Sequence, residues 1–257
     1  DIGLMSISYT CFDGESSFSH ALSLTTTGVN TSRLNRLEHF VSDFPAEGIH
    51  MSGEALHSQL DEIERIHGLY SPASLGLASA LACGAFTFLL GGGPLEMILA
   101  FAGAGIGNAI RCKLGKHHFT LFMCIAVSVS SACLVYAGFL KLAELLFHIS
   151  VQHEAGYICS MLFIIPGFPF ITSGIDLAKL DMRSGLERLA YAIIVVMVAA
   201  VSAWLMALLL HLKPVDFLPL ELSAAQRILF RLLASFCGVF GFSVMFNSPV
   251  RLAAAAA

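Results

Sequence analysis

The chain has 257 residues, of which 56% are hydrophobic and only 12% charged, with a mean hydropathy of +0.79. A soluble domain carries about 25% charged residues, so the composition excludes an ordinary water-soluble globule and points to an all-α multi-pass membrane protein. A net charge of −4 offers no basic footprint for nucleic acid.

The charge is unevenly spread. Residues 1–71 hold ten of the 18 acids, which marks a polar head ahead of the apolar runs. Ile2 to Thr10 alternates apolar and polar residues, Asp13-Gly14 supplies a hairpin turn, and Phe18 to Leu24 reads as the return strand. Beyond Gly28, Thr31 or Ser32 is expected to cap a helix with Leu34, Leu37, Phe40 and Val41 on one face. Ser52 then opens a second helix carrying Leu56, Leu60, Ile63 and Ile66. Strands followed by helices predict a small α+β domain over residues 1–71. The histidines of the head (His20, His39, His50, His57 and His67) show no ligand spacing, so surface or capping roles are expected and no metal site is predicted. No nucleophile–base pair stands out there.

Spanning a bilayer takes about 20 apolar residues as a helix, which places candidate spans at 73–90, 94–111, 119–140, 155–174, 187–211 and 225–246. Gly91-Gly92-Gly93-Pro94 turns the chain tightly between the first two. The second contains Gly103-x-x-x-Gly107 and ends near Asn108, a pattern that suits close helix packing, with Asn108 also a candidate pathway residue. Ser128, Ser130 and Ser131 in the third are expected to bond to their own helix. Residues 141–156 read as an outer amphipathic segment, and its His148 and His153 are either pH-sensing or plain interfacial groups. The seven cysteines form no CxxC pair and are expected to pack as small apolar side chains. With the head in the cytoplasm, ten cations lie inside (Arg33, Arg36, Arg65, Arg111, Lys113, Lys116, Lys179, Arg183, Arg188 and Arg251) and four outside (Lys141, Lys213, Arg227 and Arg231). That asymmetry predicts a cytoplasmic head.

The fourth span is interrupted by Pro166-Gly167-Phe168-Pro169, with Asp176 shortly after. Each proline lacks an amide hydrogen and displaces the carbonyl four residues earlier, at Leu162 and Ile165. Such carbonyls need partners within hydrocarbon, so a broken helix beside an acid is a candidate transport site. Pro169, Ser173 and Asp176 share one helical stripe, with Thr172 beside them. Two readings stand: hydroxyls and carbonyls hold a substrate ammonium while Asp176 pairs with it or carries a proton, or Asp176 is an interfacial acid satisfied by Lys179 or Arg183. Arg188 is a candidate partner for Asp176 or Asp181.

These residues resemble the threonine/serine exporter family. The resemblance rests on Gly28-Val29-Asn30 leading into Arg33-Leu34, on Gly91-Gly92-Gly93, and above all on Ile165-Pro166-Gly167-Phe168-Pro169-Phe170-Ile171-Thr172. It continues through Asp176-Leu177 and Ser184-Gly185-Leu186-Glu187-Arg188, covering most of residues 28–212. The family typically has two five-span halves. The resemblance therefore implies a five-span half over 72–212, and Gly238 to Arg251 resembles the opening of the second half, placed at 213–257. Because the sequence starts at Asp1 and stops in Ala253 to Ala257, an excerpt of a longer chain is expected, with the alanine run standing in for unidentified side chains.

The resemblance implies secondary export of a small amino acid, driven by protons, across a cell inner membrane. Pro166, Gly167, Pro169, Thr172, Ser173 and Asp176 are expected to line the pathway, with Asp176 exchanging the coupling proton. Thr172 stands where the family often has Asn, which bears on substrate identity. Some relatives divide the halves between two polypeptides and resemble dicarboxylate exporters; on that alternative Arg188 or Arg111 binds succinate-like carboxylates. A third alternative is a membrane-anchored enzyme with a hydrolase-like head. Expected partners are the substrate (threonine, serine or a dicarboxylate), protons, the lipid bilayer and, in assembly, further copies of the chain as a homo-oligomer; no cofactor is expected.

Overall fold

The computed structural model describes residues 3–24, 28–66, 68–148, 153–213 and 216–257. Ile149 and His67 lie outside these. Among the described residues two strands and nine α-helices follow in order: β1 Ser6–Phe12, β2 Ser17–Ser23, α1 Thr31–Asp43, α2 Gly53–Glu64, α3 Pro72–Leu89, α4 Pro94–Lys116, α5 Leu121–Phe147, α6 Gly167–Ala178, α7 Met182–Leu209, α8 Ala224–Met245 and α9 Val250–Ala256. Two 3-10 segments, Glu154–Tyr157 and Cys159–Ile164, precede α6. Among the described residues five helices (α3, α4, α5, α7 and α8) are long and apolar enough to cross a membrane. The 3-10 stretch and α6 together qualify as a sixth, broken span.

The chain divides into two compact units, one of Asp1–Gly28 with Ile164–Ser202 and one of Val29–Phe163 with Ala203–Ala257. The hairpin thus falls in the first unit, whereas α1 and α2 fall in the second. In the first unit β1 and β2 pair antiparallel, with Cys11 opposite Phe18, around a loop where Gly14 has φ +76°. The Leu4 amide donates to Glu187 Oε2 at 2.8 Å, which ties the hairpin's start to α7.

In the second unit, small residues let backbones meet, the usual basis of helix packing in lipid. A Cβ on Gly76 would sit 2.8 Å from the Gly105 carbonyl of α4, and one on Gly103 would sit 2.8 Å from the Ala132 carbonyl of α5. On the other side of α3, a Cβ on Gly241 of α8 would come 2.5 Å from the Ala78 carbonyl. The Gly103–Gly107 stripe therefore packs as its spacing implies. Ser128 and Ser131 donate to the Ile125 and Val127 carbonyls of their own helix. Outward-facing side chains such as Ile98, Leu134, Met197 and Trp204 are apolar and exposed.

Three expectations are corrected. Asn30 caps α1, its Oδ1 accepting the Arg33 amide at 3.1 Å. Thr31 is taken instead by the end of α8: its amide and hydroxyl donate to the Phe246 carbonyl, and the hydroxyl lies 2.7 Å from Ser248 Oγ. Lys141 to Phe147 does not form a separate interfacial segment but continues α5 for two more turns. Finally, His153 is not an exposed interfacial group. Its Nδ1 lies 2.7 Å from Glu96 Oε1, and its side chain is 16% exposed.

Candidate functional site

The helix break is an inverse γ-turn. Pro166 has φ −81° and ψ 61°, and the Gly167 amide donates to the Ile165 carbonyl at 2.9 Å. Pro169 then occupies the first turn of α6, where its missing N–H costs no intrahelical bond. The Ile165 carbonyl thus finds the partner it needs in the backbone, at the Gly167 amide.

Along α6, Pro169, Thr172 and Asp176 are half-buried, while Ser173 between them is buried. Thr172 Oγ1 donates within its own helix to the Phe168 and Pro169 carbonyls. Ser173 donates to the Gly185 carbonyl of α7 at 2.7 Å. That approach requires glycine: a Cβ on Gly185 would meet Leu177 side-chain carbons at 2.7 Å and its amide nitrogen at 3.1 Å. Ser173 and Gly185 are thus the packing joint between α6 and α7.

This joint sets Asp176 against Arg188, with Oδ2 and Nη1 2.8 Å apart and side chains 19% and 26% exposed. The contact is one of charge, since the guanidinium aligns no hydrogen bond on Oδ2. Arg183 pairs with Glu187 at 3.3 Å. Asp181 Oδ1 accepts the Ser184 amide, and hydrogen bonds from the Ser184 hydroxyl and amide hold the Asp181 carboxyl below its usual range. Of the two acids open to Arg188 in sequence, the fold selects Asp176.

Pro166, Gly167, Pro169, Thr172, Asp176 and Arg188 therefore lie together in one unit. Asn108 lies in the other, buried in α4, where its Nδ2 donates to the Leu75 carbonyl at 2.9 Å. It links α4 to α3. Glu96, 2% exposed and paired with His153, was not a sequence candidate. Its signal was an acid placed third in an apolar helix directly after a glycine-proline turn. Among the described residues no group of His, Cys, Asp and Glu is placed to hold a metal ion.

No curated protein and no solved structure matches the chain. The family model ThrE, for threonine/serine exporters, matches residues 1–211. That span contains the proline break, the Ser173–Gly185 joint and the Asp176–Arg188 pair. The chain belongs to the threonine/serine exporter family.

Proposed function

We propose that the chain is a secondary exporter of threonine and serine in a cell inner membrane, with its head in the cytoplasm and protons as the driving ion. The observation that carries this reading is the half-buried Asp176–Arg188 pair beside a helix break. An amino acid is a zwitterion. Its ammonium can replace Arg188 as the partner of Asp176 while its carboxylate replaces Asp176 as the partner of Arg188. Such an exchange leaves no charge unpaired, which matters where an uncompensated ion is expensive.

A succinate-like dianion supplies a partner for Arg188 but none for Asp176, so the pair favours an amino acid over a dicarboxylate. Protonation of Asp176 is the proposed coupling step: a protonated carboxyl no longer pairs with an ammonium, so proton and substrate compete for the one carboxylate and cross in opposite directions. Pro166, Gly167, Pro169 and Thr172 form the half-buried stripe alongside, with Ser173 as its support.

The test is efflux of labelled threonine from proteoliposomes, with and without a pH gradient, against a panel of competitors. Serine is expected to compete and succinate is not, and the gradient is expected to accelerate efflux. Equal competition by succinate would transfer the assignment to dicarboxylates.

A further inference from the structure

The turn of Gly91-Gly92-Gly93 delivers α4 with Pro94 in its first turn and Glu96 just behind it. A Cβ on Gly93 would lie 2.9 Å from Glu96 Oε2, so the carboxylate rests over bare backbone. On its other side the carboxylate meets His153 Nδ1 at 2.7 Å. Tyr136 of α5, fully buried, donates to the His153 carbonyl at 2.6 Å. Gly156 leaves room for that ring, since a Cβ there would come 2.7 Å from Tyr136 Cζ. The segment 153–157 is thereby clamped on α4 and α5.

The remaining titratable groups near the pair are Tyr136 and Cys159, both within electrostatic reach of Glu96, and Glu154, whose carboxylate accepts the Lys213 amide. From α3, the Thr87 hydroxyl donates to the Cys83 carbonyl and also contacts Cys159. Among the described residues, no lysine or arginine forms an ion pair with Glu96. His153 is the basic side chain within reach.

A carboxylate nearly closed off from water is costly by itself. Its place in the first turn of α4 recovers part of that cost through the helix dipole. A neutral imidazole with its proton on Nδ1 keeps the hydrogen bond but leaves the site with a net negative charge. One further proton, added at Nε2, makes the pair neutral overall. We infer that Glu96 and His153 form a proton-binding site, which takes one proton from water at His153 Nε2 with Glu96 as its fixed counter-charge. This goes beyond the exporter reading and does not depend on it.

The test is proton uptake by the purified full chain in nanodiscs as the pH falls from about 8 to about 5, the window in which histidine changes charge. Glu96→Gln keeps an oxygen for the Nδ1 proton, so the contact persists without its charge. Glu96→Gln is expected to take up about one proton fewer per chain than the unsubstituted protein, and the double variant Glu96→Gln/His153→Gln also about one fewer, because the two residues titrate as one site. Uptake by Glu96→Gln equal to the unsubstituted chain would overturn the inference, as would a double variant that loses two. Nitrogen NMR of the histidine-labelled, unsubstituted chain, with His153 assigned through His153→Gln, gives a second reading that needs no folded Glu96 variant. An imidazolium signal for His153 at low pH supports the site, and a neutral ring throughout contradicts it. Failure of the exporter reading would appear as absent threonine efflux with proton uptake unchanged.

Discussion

Two carboxylates face basic side chains at nearly the same distance, Asp176 with Arg188 at 2.8 Å and Glu96 with His153 at 2.7 Å. What surrounds them differs. The first pair keeps about a fifth to a quarter of each side chain exposed, and its cation is permanently charged. In the second the acid is 2% exposed and its partner is titratable. On the proposed function the first pair is opened by an ion of matching charge, the substrate zwitterion. The inferred site at the second, whose acid is closed off from water, takes a proton. Depth and partner type, more than distance, decide which ligand each site suits.

The sharpest way to break this comparison is to remove the basic side chain from each pair and compare unfolding in detergent. His153→Ala leaves Glu96 buried and alone, at an expected cost of about 3–5 kcal/mol. Arg188→Gln leaves Asp176 with solvent access, so about 1–2 kcal/mol is expected. Equal losses would mean that burial does not separate the two sites.

Next in size is an effect on transport. On the proposed function, Asp176→Asn removes a charge-assisted contact with the substrate ammonium, worth about 1.5–3 kcal/mol, so roughly a 10- to 100-fold loss of threonine efflux is expected. The packing beneath each pair gives smaller effects. Gly103→Val drives a side chain into the Ala132 carbonyl of α5 and is expected to destabilise the α4–α5 contact by about 1–3 kcal/mol in thermal unfolding. Ser173→Ala loses the bond to the Gly185 carbonyl, about 1 kcal/mol, and is expected to leave the KM for threonine unchanged. A raised KM would make Ser173 a substrate contact after all.

The apolar helices were legible because length and hydropathy act locally. Their ends were less so, since α5 runs on through Phe147 where the sequence suggested a separate segment. The break at Pro166 was legible because proline constrains its own residue. The fate of the Ile165 carbonyl was not, because the γ-turn that satisfies it depends on backbone angles at Pro166. Thr31 and Asn30 are equally good caps by residue type. The choice between them is made by Phe246 and Ser248, more than 200 residues along the chain. Glu96 escaped for a similar reason. An acid in the first turn of a helix is an ordinary sight, and its partner stands 57 residues away.

The account centres on Asp176 and Arg188 as a pair that a zwitterion opens. The most direct measurement is threonine efflux from proteoliposomes carrying Asp176→Asn, Arg188→Gln and the double variant, each checked for folding by circular dichroism. All three are expected to stay folded and to lose efflux, the double included, because neutralising both partners restores charge balance without restoring the substrate's contacts. Efflux recovered in the double variant to the level of the unsubstituted chain would show that the pair serves only the fold.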